Sequence, residues 1–280
     1  METYRAHDGL LIAAHLAPGD PGIVYAHATG FCKEVWGPVI RRLPGRGVLA
    51  LDQRGHGDSG VGPPPFDWWD LGRDVVTGVE AVGWARPIGV GHSSGGAALV
   101  MAELLRPGSF RALLLIEPIV FPPPYLRYEH LPLAIGAERR RASFPSRSAA
   151  RSGLAGRGPF AGWVDEALDA YLDGGFEDRD GTWALKCAPG VEAEWYRTAT
   201  VHGAWDRLGE IACPAVVVGG ADSDSHPAAF LEELADRLGD AAVAIVEDAG
   251  HFVPMERPEV VAGMIAGLAL QPDRGTHPAE

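Results

Sequence analysis

Six short apolar runs constrain this chain more than any other feature: GIVYAHA (22–28), GVLALD (47–52), PIGVGH (87–92), ALLLIE (112–117), AVVVGG (215–220) and AVAIVED (242–248). Each has the length of a strand and lacks polar alternation, the pattern of strands buried on both faces. Segments with apolar residues three and four apart separate most of them. WWDLGRDVVTGVEAV (68–82) precedes the third run and AALVMAELL (97–105) follows it. AAFLEELADRL (228–238) precedes the last run, and PEVVAGMIAGLAL (258–270) follows it with Pro258 in its first turn. Strands alternating with helices predict an α/β fold, a mostly parallel sheet with right-handed crossovers and helices on its faces. Ahead of the first run, Asp8-Gly9 favours the left-handed dihedrals of a tight hairpin between two short strands.

The rhythm breaks between residues 121 and 207, where no buried strand is legible. Prolines 122–124, an arginine-rich stretch over 139–157 and four tryptophans (163, 183, 195, 205) stand among helical segments such as WVDEALDAYLDGG. So long an interval is too apolar for a linker and reads as a helical cap over one end of the sheet. The expected organisation is a core of residues 1–120 and 208–270, a cap of 121–207, and a disordered tail of 271–280.

Within the third run lies the sharpest chemical signal. Gly91-His92-Ser93-Ser94-Gly95 sits between a buried strand and an apolar helix. In such a Gly-x-Ser-x-Gly turn the middle serine is strained and its hydroxyl projects from the sheet, beside the positive end of the helix. Ser93 is the candidate nucleophile, with Ser94 offering its backbone N–H. A serine needs a base within hydrogen-bond reach. Of ten histidines, His251 is the candidate, because it follows the last strand run at the carboxyl end of the sheet, where ligands bind in open α/β folds.

A carboxylate to orient that base can come from two places. Glu117 ends the ALLLIE run, where burial is costly without a partner. Asp224 and Asp222 follow AVVVGG. Glu117 ranks first, Asp224 second and Asp222 third.

The formal net charge of −13 and only two lysines, Lys33 and Lys186, argue against a nucleic-acid partner. Three scattered cysteines, Cys32, Cys187 and Cys213, fit neither a disulfide framework nor a zinc site. The amino terminus lacks a basic signal-peptide region, and no apolar run reaches the roughly 18 residues of a membrane span. A small-molecule substrate, no metal or organic cofactor, no membrane partner and a cytoplasmic location are expected.

The chain resembles an α/β-hydrolase over nearly its full length, through HATGF (27–31), DQRGHGDS (52–59), GHSSGG (91–96), LLLIEP (113–118) and GHFVPMERPE (250–259), in that family's order. The resemblance implies a serine, acid and histidine triad and an oxyanion hole from the backbone N–H groups of Ser94 and Thr29. His27-Ala28 departs from the usual His-Gly. Glu117 is similar in place to a glutamate of some haloalkane dehalogenases. His27 and His56 would brace loops, His92 would point away from the site, and Asp52, Arg54 and Asp58 would order the DQRGHGDS loop. Phe31, Trp36 and Phe121 offer the acyl side of a pocket, against the commoner role of aromatic residues in core packing. The activity implied is a lid-bearing serine hydrolase of esters, lactones or thioesters. A carbon–carbon bond hydrolase of a diketone-like acid, marked by a cap arginine for the substrate carboxylate, and a non-catalytic ligand-binding member are the alternatives. Haloalkane dehalogenase and epoxide hydrolase chemistry would require an aspartate in place of Ser93.

Overall fold

The computed structural model describes residues 2–273; the rest of the expected tail lies outside the described residues. The strands are β1 (Glu2–Arg5), β2 (Leu11–Ala17), β3 (Gly22–Ala26), β4 (Gly47–Leu51), β5 (Ile88–His92), β6 (Ala112–Ile116), β7 (Ser143–Phe144), β8 (Phe176–Arg179), β9 (Thr182–Leu185), β10 (Ala215–Gly220) and β11 (Ala241–Val246). The helices are α1 (Gly37–Arg41), α2 (Trp68–Val82), α3 (Ser94–Leu105), α4 (Pro132–Arg139), α5 (Arg147–Leu154), α6 (Asp165–Gly174), α7 (Pro189–Arg197), α8 (Ala228–Leu238), α9 (Val253–Glu256) and α10 (Pro258–Leu270).

Among the described residues, the main sheet has eight strands in the order β1-β2-β4-β3-β5-β6-β10-β11. The β1–β2 and β2–β4 pairs are antiparallel, and every other pair is parallel. Alternate side chains of a strand point to opposite faces, and the core divides accordingly. Ile23 and Tyr25 of β3 join α10 residues Val261 and Ile265 on one face, while Val24 and Ala26 join Leu71, Leu99 and Leu231 of α2, α3 and α8 on the other. Both faces of the sheet are thus covered, as the unbroken apolar runs predict.

Two elements differ from the sequence reading. β11 is an edge strand paired only to β10, and its Val243 and Ile245 are exposed, so it is not buried on both faces. The interval between β6 and β10 holds α4 to α7 and also a small antiparallel sheet, β7-β9-β8, that apolar runs do not reveal. β8 reads Phe-Glu-Asp-Arg and β9 spans four residues, too little sequence for a period to stand out.

Candidate active site

The carboxyl ends of β3, β5, β6, β10 and β11 converge on one edge of the sheet. At the end of β5, Ser93 adopts φ 56° and ψ −117°, a left-handed conformation uncommon for a residue with a Cβ. The glycines around it are there for space. A Cβ on Gly91 would stand 2.5 Å from Gly95 O, one on Gly95 would stand 2.1 Å from Ala26 O, and one on Gly96 would meet Pro118 Cβ at 2.8 Å. Three strand ends thus pass too close for side chains. The Ser93 hydroxyl makes no capping bond to α3, so local structure does not use it. Ser94 is the first residue of α3, where backbone N–H groups have no intrahelical acceptor.

At the end of β6, Glu117 is fully buried and carries a positive φ of 44°. Its Oε2 accepts a hydrogen bond from His251 Nδ1 at 2.6 Å. Gly220 N–H donates to Oε1 at 3.0 Å. Burial alone would raise the carboxyl, yet hydrogen bonds to the carboxylate, from His251 and the Gly220 amide among them, outweigh it and hold Glu117 well below the ordinary range. Asp222 and Asp224 are exposed on the loop after β10. That loop nevertheless reaches the carboxylate through Ser223 Oγ (2.8 Å), Ser225 Oγ (2.9 Å) and His226 Nδ1 (3.2 Å). Sequence reasoning singled out none of these three. Their one signal is the run Ser-Asp-Ser-His directly after a strand end, where attention goes first to the aspartates.

His92, one residue before Ser93, donates from Nε2 to His251 O at 2.9 Å and so ties the loop of His251 to the strand end that carries Ser93. Burial, with the nearby His251, pushes its imidazole down to about 3. His27 donates from Nδ1 to Ala28 O at 2.7 Å and accepts from Gln53 N–H at 3.0 Å, fixing the turn that carries Thr29. His56 donates from Nδ1 to Arg54 O at 3.1 Å. Asp52 binds Lys33 Nζ at 2.7 Å, and Asp58 binds the same ammonium at 2.9 Å.

Of the aromatic candidates, Phe31 stands 5.1 Å from Trp163 and 5.4 Å from Tyr171 of the interval between β6 and β10, and 5.8 Å from Phe252, the neighbour of His251. Phe121 packs against His226 and Phe230. Trp36 is fully buried in the core against Tyr25. Arg140, just after α4, donates to Glu192 Oε2 (2.6 Å) and Tyr171 Oη (2.8 Å), and Tyr171 in turn reaches Gly30 O at 3.4 Å.

Glu117, His226 and His251 place one possible metal-ligand atom each within 4.8 Å of one another. Two ligands of one tetrahedral zinc stand about 3.3 Å apart, wider than the 2.6 Å between Glu117 Oε2 and His251 Nδ1. As arranged, those two atoms form a hydrogen bond rather than a pair of ligands.

A strained serine turn and a histidine paired to a buried glutamate at one edge of an α/β sheet fit the similarities of the chain. The model of the alpha/beta hydrolase family matches residues 23–264. A 2-(acetamidomethylene)succinate hydrolase of Mesorhizobium japonicum is 27% identical over 254 residues, covering 89% of this chain and 87% of that protein. The structure of the peroxisomal alpha-beta-hydrolase Lpx1 of Saccharomyces cerevisiae superposes with a TM-score of 0.80 at 20% identity, over 99% of this chain and 88% of the other. An enol-lactonase of Burkholderia xenovorans gives 0.73 at 18% identity, over 96% and 100%. No described helix is long and apolar enough to cross a membrane. With the family match spanning most of the sequence and the sheet built in the matching manner, the chain belongs to the alpha/beta hydrolase family and is a hydrolase.

Proposed function

We propose that this hydrolase cleaves a carboxylic ester, lactone or thioester through an acyl-enzyme on Ser93. The observation that carries the reading is the bond from His251 Nδ1 to the buried carboxylate of Glu117 (2.6 Å), beside a serine in a strained strand-to-helix turn. A proton on Nδ1 leaves Nε2 as the lone pair that takes the Ser93 hydroxyl proton when Oγ attacks the acyl carbon. Glu117 fixes that tautomer and stabilises the imidazolium that forms. The N–H groups of Ser94 and Thr29 receive the oxyanion. Nε2–H then protonates the leaving group, and water, deprotonated by the same nitrogen, releases the acid. Phe31, Trp163 and Phe252 form an apolar wall between the oxyanion turn, the cap and the base, suited to an acyl chain, and residues 121–207 act as the cap. Trp36, by its burial in the core, is left to packing.

A carbon–carbon hydrolase would turn a cap cation to the substrate carboxylate. Arg140 is instead engaged by Glu192 and Tyr171, which favours the ester class. A small molecule is the partner, and a reducing compartment such as the cytoplasm suits the three buried free thiols.

The test is hydrolysis of p-nitrophenyl esters from acetate to decanoate, with covalent labelling by a serine-reactive phosphonate. Wild type should turn over and label, and Ser93→Ala should do neither. Labelling that persists in the variant, or a wild type inert towards every ester, refutes the assignment.

A further inference from the structure

Glu117 Oε2 has four polar neighbours: His251 Nδ1 at 2.6 Å, Ser223 Oγ at 2.8 Å, Ser225 Oγ at 2.9 Å and His226 Nδ1 at 3.2 Å. A carboxylate oxygen offers about two lone-pair sites, so these groups cannot all donate together. The choice among them is set by His226. Its Nε2 lies 3.0 Å from Pro118 O. A carbonyl only accepts, so Nε2 carries a proton in every state, and neutral His226 presents a lone pair at Nδ1. Against the carboxylate that lone pair is repelled, unless Ser225, whose Oγ is 3.0 Å away, donates its proton to it. When His226 takes a second proton, Nδ1–H turns to Glu117 instead, and the Ser225 hydroxyl is released.

We propose that His226 is a second histidine of the same carboxylate, a positioning residue whose neutral form leaves Glu117 to His251 and whose cationic form withdraws it. The inference rests on the triad reading above. The step is a proton from solvent bound at Nδ1 of His226, with the Ser225 O–H rotating away; no other bond changes. Turnover needs His251 to become cationic, and its ring centroid is 6.0 Å from that of His226. Two cations at that distance disfavour one another, so a proton on one ring opposes a proton on the other. The other groups facing the pair leave this competition in place. Phe121 and Phe230 cover the His226 ring at 5.5 and 5.4 Å. Buried His92 is neutral and bonded to His251 O. The Glu256 carboxylate accepts the Gly250 N–H at 2.6 Å, and Asp222 and Asp224 are exposed to water.

The deciding measurement needs no substrate, so it stands apart from the esterase assay: ring nitrogen NMR shifts of both histidines, titrated from about pH 8 to about pH 4, in wild type, His226→Gln and His251→Gln. Glutamine retains an N–H for Pro118 O and cannot titrate. In wild type both rings should move in two coupled steps, and in each variant the remaining ring should move in one. Ser225→Ala, which removes the donor to neutral Nδ1, should raise the pH at which His226 first protonates. In activity, the acid limb of kcat/KM should reach a slope of two in wild type. In His226→Gln it should keep a slope of one and lie at lower pH. A His251 titration identical in wild type and His226→Gln, or a His226 that stays neutral throughout, overturns the proposal.

Discussion

Glu117, at the end of β6, is held by contacts that come from the ends of two other strands, β10 and β11. Its carboxylate meets the Gly220 amide, two serine hydroxyls and two imidazoles without access to water. Glu117→Gln removes the charge that selects the His251 tautomer and steadies its cation, and should lower kcat by about 10³–10⁴-fold with KM little changed. Asp224→Asn, on an exposed side chain, should leave kcat within about twofold, and the ester assay compares the two directly. At this scale the sequence was informative where cost was legible. A carboxylate ending a buried apolar strand demands a partner, and that demand, rather than chain order, points to Glu117. His226 was not legible, because nothing in Ser-Asp-Ser-His states that its ring turns inward under Phe121 and Phe230.

Elements of the core were readable because a strand buried on both faces has no choice of residue type, and the longer helices because their apolar stripe spans three or four turns. The small sheet β7-β9-β8 was not, since β7 has two residues and β8 and β9 have four each. β11 was misread for a different reason. A continuous apolar run says that a segment is strand-like, but its neighbours in space decide whether both faces are covered. The interval between β6 and β10 is tied to the rest of the chain by several polar contacts, among them Arg41 and Arg42 to Glu166, Lys186 to Asp58 and Trp68 to Thr198, and one buried junction reaches the turn after β3. Arg140, after α4, joins Glu192 of α7 and Tyr171 of α6, and Tyr171 carries the junction to Gly30 in the turn after β3. Glu192→Gln leaves the guanidinium mostly buried and short of its counter-charge. The variant should lose about 2–4 kcal/mol by thermal or urea unfolding, whereas Arg140→Met with Glu192→Leu should recover most of it. Equal losses in the single and double variants would show that packing, not the ion pair, holds this junction.

Over the whole molecule, stability is tied to acid through histidines that the fold keeps neutral. Burial pushes His27 and His202 down to about 4, and His56 and His92 to about 3. Their unfolded value is about 6.5, so below that pH the unfolded chain takes up protons that the native state refuses. The stability is fully present above about pH 6.5 and is lost as pH falls towards 4, at up to about 1.4 kcal/mol per pH unit for each group. Glu117, shifted down, adds a further loss below the ordinary carboxylate range. The urea unfolding free energy should therefore drop by several kcal/mol between about pH 7 and pH 5, and an unchanged midpoint would count against four neutral buried rings. The same sheet carries one more consequence. Strands β6 and β10 lie side by side, with Ile116 opposite Val218, so the residue that follows one and the loop that follows the other open onto the same spot beside His251. The histidine answers to a location, and that location has two addresses in the chain, one of them 134 residues away. With the carboxylate lodged at the first address, the second is left to hydroxyls and an imidazole, and a carboxylate at either one would meet His251 without any change to the histidine.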